Sequence, residues 1–139
     1  MANMERVLEF SIPVKPRTKK NSQQVIRPGG SGRAIPIPSK QYRQFEADCL
    51  WLIPASAKLG IDYPVNIKIV YYMDSKRKVD RTNLESAVMD MLVKAGVIKD
   101  DSAINPAIAV TTDGSKVLID REKPRIEIEI TKYDEWMVE

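Results

Sequence analysis

The segment Val65–Ile104 reads VNIKIVYYMDSKRKVDRTNLESAVMDMLVKAGVIKDDSAI, and its hydrophobic period changes partway along. Val65, Ile67, Ile69 and Tyr71 alternate with Asn66 and Lys68, the two-residue repeat of a half-buried strand. From Thr82 or Asn83 the spacing turns helical: Leu84, Val88, Met91, Leu92 and Ala95 share a face, and Gly96 supplies a natural stop. A strand and a helix joined by a short basic loop must bury their apolar faces against one another, so the chain reads as a sheet covered by helices.

Outward from this pair the same patterns recur. Leu8, Phe10 and Ile12 alternate with Glu9 and Ser11 in a first strand that ends near Pro13. Ser39 suits the N-cap of a helix reaching about Ile53, with Tyr42, Phe45, Cys49, Leu52 and Ile53 toward the core and Pro54 at its end. Pro106–Thr112 reads as a strand, Asp113-Gly114 as a tight turn and Lys116–Ile119 as its return. Ile126, Ile128 and Ile130 alternate with Glu127 and Glu129 in the last strand, and the terminal YDEWMVE is acidic. The order is not a repeating βα. The expected fold is α+β, one mixed, mostly antiparallel sheet with two helices packed on it, in a single domain over residues 1–139.

Composition narrows the chemistry. The chain has no histidine and one cysteine, Cys49. Ser-His-Asp hydrolysis, Cys-His proteolysis, histidine-held zinc and an intrachain disulfide are therefore excluded. Acid–base work falls to Asp, Glu, Lys, Tyr or metal-associated water. No apolar run approaches the roughly 18 residues of a membrane span, and MANMERVLEF carries no signal pattern, so the expected location is cytoplasmic with no membrane partner.

The net charge of +3 conceals an asymmetry. Between Phe10 and Phe45 there is no acid, while Lys15, Arg17, Lys19, Lys20, Arg27, Arg33, Lys40 and Arg43 give that segment +8 and leave −5 on the remainder. Residues 15–38 are rich in Pro, Gly and Ser around Pro28-Gly-Gly-Ser-Gly32, with short β segments expected at Gln24–Arg27 and Ala34–Ile37. They read as a flexible basic hairpin that grips a polyanion. Lys76, Arg77, Lys78 and Arg81 bracket Asp80 in a second cluster, and Asp100 and Asp101 follow the helix. Carboxylates gathered beside a basic surface call for an oxygen-bound cation and suggest phosphodiester chemistry.

The run Asp80-Arg81-Thr82-Asn83-Leu84, then Asp90, then Lys99-Asp100-Asp101-Ser102 resembles the RusA family of Holliday junction resolvases, whose pattern is Asp-x-Asp-Asn at a helix start, a Lys one turn in, a further Asp, and Asp-Asp after the helix. IPVKPRTKKNSQQV and PSKQYRQFE also look like that family's opening strand and basic loop. The resemblance implies a homodimeric, Mg²⁺-dependent endonuclease, with Mn²⁺ substituting, that nicks opposed strands of a four-way DNA junction in recombination and repair.

By that resemblance Asp80 and Asp101 match the metal-binding aspartates, and Asp100 is expected to orient or share the ion. Lys15, Arg17, Lys19, Lys20, Lys76, Lys78 and Asn83 are the expected DNA contacts. Two positions depart from the pattern: Thr82 replaces its second Asp and Ser86 its Lys. Glu85, one turn from Thr82 on the same face, is a candidate replacement ligand. Thr82-Asn83-Leu84-Glu85 also spells a capping box, in which Glu85 would reach back to the Thr82 amide, and both readings stand. Lys99 is the preferred substitute for the missing lysine, ahead of Lys76 and Lys78, and Asp90 is expected to pair with Lys94. The departures keep open a catalytically weak or inactive relative that binds branched DNA without cutting it.

Overall fold

A computed structural model describes residues 5–18, 23–26, 35–99 and 110–132. In chain order the elements are β1 (Glu5–Ile12), β2 (Gln23–Ile26), β3 (Ile35–Pro38), α1 (Lys40–Leu52), β4 (Val65–Met73), α2 (Arg81–Lys94), β5 (Val110–Thr111), β6 (Lys116–Ile119) and β7 (Arg125–Lys132), with a 3₁₀ turn at Ala55–Ala57. The expected α+β architecture is the one observed: a mixed sheet, mostly antiparallel, with two helices.

The sheet runs β1-β7-β4, each pair antiparallel, and the register stacks the apolar alternations into rungs. Leu8, Ile130 and Ile67 form one rung, Phe10, Ile128 and Ile69 the next, and Ile12, Ile126 and Tyr71 a third. These residues join Leu84, Ala87, Val88, Met91 and Leu92 of α2 and Tyr42, Phe45 and Cys49 of α1 in one core cluster. The opposite face carries Glu9, Glu129 and Lys68 in its own rung, the polar side of a half-buried antiparallel sheet. Burial in this core pushes the Cys49 thiol up to about 12, so the lone cysteine stays a neutral core group.

Both helices end where their sequences indicate. The Tyr42 amide donates to Ser39 Oγ (3.1 Å), and α1 stops before Pro54. Gly96 closes α2 with φ +78°, while the Val97 amide reaches back to the Leu92 carbonyl (2.9 Å). Leu52, expected in the core, is 39% exposed: it lies at the last residue of α1, on the Phe45 margin of the face that the buried positions 42, 45, 49 and 53 trace. β2 and β3 pair antiparallel where the basic hairpin was expected.

The far edge of β4 corrects one expectation. β5 and β6 do not turn back on each other as a hairpin; both run parallel to β4. Val65 pairs with Val110 and Val70 with Lys116, so five steps along β4 face six along the edge. Asp113-Gly114 is thus a bulge in one interrupted edge strand. The buried Asn66 fixes it: its Oδ1 accepts from the Asp113 amide (2.7 Å) and Thr111 Oγ1 (2.7 Å), and its Nδ2 donates to the Asp113 carbonyl (3.0 Å). Across the gap Ser115 Oγ accepts from the Ile69 amide (2.9 Å), standing in for a missing backbone partner. Gly114 takes φ +86°, which a side chain would resist.

Candidate functional site

β4 ends at Met73, and the basic loop 74–80 leads into α2. Asp80 is the N-cap of that helix. Its Oδ1 accepts from the Thr82 amide (2.9 Å) and the Asn83 amide (3.3 Å), meeting two of the four donors that a helix start leaves unpaired. The capping-box reading of Thr82 and Glu85 is therefore overturned: the cap lies two residues upstream, and the Thr82 amide is already taken. Glu85 is left half-buried, with no hydrogen bond or ion pair among the described residues.

The first turn of α2 is anchored to the edge bulge, where the Arg81 guanidinium donates to the Ser115 carbonyl. Beneath it Tyr71 is 1% exposed, and its hydroxyl has no hydrogen-bond partner among the described residues. Burial raises its pKa above the usual tyrosine range; the negative charge of Glu85 adds to this and Arg81 opposes it. Burial likewise pushes the Tyr42 phenol up to about 12, in keeping with a core role.

The loop that precedes Asp80 lines a cleft of about 160 Å³, whose lining includes Lys15, Arg17, Gln41, Asp74, Arg77, Lys78 and Val79. Lys15 Nζ lies 2.8 Å from Asp74 Oδ2, and this contact holds the Asp74 carboxyl below the usual carboxylate range. Arg17 donates to Gln41 Oε1 (3.3 Å), tying the start of the basic segment to α1. Lys15, Arg17 and Lys78 thus share one surface, and Lys76 lies exposed in the same loop. Asn83 is half-buried, with its amide held by Asp80. Asp74 and Gln41 were not foreseen as part of this surface; an acid immediately before Ser75-Lys76-Arg77-Lys78 was the available signal for the first.

Lys99 lies elsewhere. Its amide donates to the Ile61 carbonyl (2.8 Å), and the amides of Val97 and Ile98 both reach back to the Leu92 carbonyl. Twelve helical residues separate Leu92 from Asp80, about 18 Å along the axis. Within one chain Lys99 therefore sits at the opposite end of α2 from Asp80. Nor does Asp90 hold Lys94: that ammonium crosses to Glu46 on α1 (3.1 Å), linking the helices instead. Lys19, Lys20, Asp100 and Asp101 lie outside the described residues. Among the described residues no three Asp, Glu or Cys side chains cluster as a metal site, and no helix is long and apolar enough to cross a membrane.

The profile of the family described as Endodeoxyribonuclease RusA matches residues 13–131, which take in the cleft, the cap and both helices. The chain belongs to the RusA family. A curated relative, the crossover junction endodeoxyribonuclease RusA of Aquifex aeolicus (strain VF5), is 31% identical over 105 residues, covering 75% of this chain and 79% of the relative. RusA membership makes the chain an endodeoxyribonuclease by type.

Proposed function

We propose that this RusA-family endodeoxyribonuclease resolves four-way DNA junctions by paired nicking, as a homodimer, with Mg²⁺ held by Asp80, Glu85 and Asp101. The observation that carries the reading is that Asp80 caps α2 immediately after Val79, the last residue of the loop that lines the basic cleft. The cap uses Oδ1 alone, and Oδ2 has no partner among the described residues. Glu85 brings a second hard oxygen donor that is free of capping duty. Such donors fit Mg²⁺, which binds through one or two carboxylates and keeps several waters. When bound, the ion supplies charge neutralisation at the phosphoryl oxygens and a more acidic water. Lys15, Arg17, Arg77 and Lys78 hold the phosphate backbone along the cleft, and Lys19 and Lys20 extend the grip.

The length of α2 supports a site shared between two copies. Asp101 follows Lys99 by two residues, a reach of about 7 Å, against the roughly 18 Å along α2 that separates Asp80 from Leu92. A site that unites Asp80 with Asp101 draws them from different protomers, and Lys99 arrives with Asp101 as the cation that Ser86 does not provide. A twofold dimer then offers two such sites to a twofold substrate.

Asp80→Asn is the direct test, because asparagine caps a helix about as well as aspartate. It is expected to abolish Mg²⁺- and Mn²⁺-dependent nicking of a labelled four-way junction while leaving the fold and junction binding intact. Normal cleavage by this variant would overturn the assignment. Tight junction binding by the unaltered protein with no product under either ion would identify a non-cutting relative.

A further inference from the structure

The basic cleft does not end at Arg17. Lys15, Arg17 and Gln41 also line a second, larger groove of about 560 Å³ that follows α1, so the Arg17–Gln41 hydrogen bond (3.3 Å) belongs to the walls of both. Gln41, Gln44, Phe45 and Asp48 recur at helical spacing along this groove, and Pro13 and Val14, just past β1, line it too. Phe45 is buried, Val14 half-buried and Pro13 exposed, so the groove offers apolar surface to a guest.

Charge is divided along its length. Arg17 and Lys40 lie at the start of α1, whereas Asp48 comes seven residues after Gln41, about 10 Å along the axis. Gln44 Nε2 donates to Asp48 Oδ1 (2.8 Å), which leaves Asp48 Oδ2 and Gln44 Oε1 without partners among the described residues. Cations at one end, apolar walls between and free acceptors at the other match the parts of a nucleotide: phosphate, base face and amino edge. A carboxylate repels phosphate but accepts readily from the amino group of a base.

We propose that this groove receives one nucleobase of the DNA substrate, turned out of its stack, with Asp48 and Gln44 accepting from its amino edge while Arg17 and Lys40 hold its phosphate. The inference rests on the reading of the basic cleft as the DNA surface, with which the groove is continuous. Turning a base out is least costly where pairing is already interrupted, as at a branch point. Phosphate contacts carry no sequence information, whereas a base pocket does. The groove therefore gives the chain a means of choosing a base with an amino group over thymine, which has none.

The test is equilibrium binding of the full chain, in chelator so that no strand is cut, to four-way junctions carrying one abasic nucleotide at successive positions near the branch. Wild type is expected to bind about tenfold more weakly when one particular nucleotide is abasic, and severalfold more weakly when it is thymine. Gln44→Trp, which fills the groove from an exposed helix position, should bind the intact junction about tenfold more weakly and ignore the abasic site. Asp48→Ala should keep the abasic penalty and lose the discrimination against thymine. Tight junction binding with no sensitive position, or both variants repeating the wild-type scan, would refute the base pocket and leave the DNA reading standing. No junction binding by the wild type would overturn the DNA reading and this inference with it.

Discussion

Asp80 commits one oxygen to capping α2, and Asp74, a few residues earlier, is committed to an ion pair. Lys15 donates to Asp74, anchoring the start of the basic segment to the loop before α2. It also holds the Asp74 carboxyl below the usual carboxylate range. An acid depressed on folding adds stability above its unfolded pKa of about 3.9, and that stability is lost as pH falls through the lower folded value. Thermal melts should therefore show the wild type more stable than Asp74→Asn at neutral pH, with the gap closing as the solution is acidified below about pH 4. Both side chains are more than a third exposed, so salt should shrink the gap at any pH. A gap that persists at low pH would mean that Asp74 acts through something other than its charge.

At the scale of elements, strands and helices were readable because each carries its own period, and both caps are written within a few residues of the helix they close. What escaped were features decided by distant partners. Asp113-Gly114 has the local signature of a hairpin turn, but Asn66 lies 47 residues away and fixes those residues as a bulge on a parallel edge. Lys94 was expected to pair within α2, yet Glu46 is presented to it by α1. The capping box failed differently: Asp80 and Thr82 are both good caps, and only the path of the chain out of β4 chooses between them. Asn66→Ala would leave the Asp113 amide, its carbonyl and the Thr111 hydroxyl without this partner. We expect a loss of about 2–3 kcal/mol in urea denaturation. Because Arg81 rests on Ser115 of the same edge, the start of α2 should exchange its amides faster in that variant. An unchanged urea midpoint would show that water replaces Asn66 at no cost.

For the whole molecule, the decisive quantity is the length of α2 between the two acidic clusters. The cap Asp80 and Lys99 are held apart by a packed helix whose two ends are both tied down, at Ser115 and at Ile61. Rigid separation of this kind turns the shared-site proposal into a complementation experiment. Asp80→Asn and Asp101→Asn proteins are each expected to be inactive. In a mixed dimer with sites drawn across copies, one site carries both substitutions and the other carries neither. Mixing and re-equilibrating the two inactive proteins should then restore nicking of a four-way junction, but one strand at a time, without the paired cuts that resolve it. If both aspartates of a site come from one chain, every site in the mixture keeps a lesion and no product appears. The ratio of single nicks to paired cuts on a labelled junction therefore reports how the site is assembled, independently of how tightly either variant binds DNA.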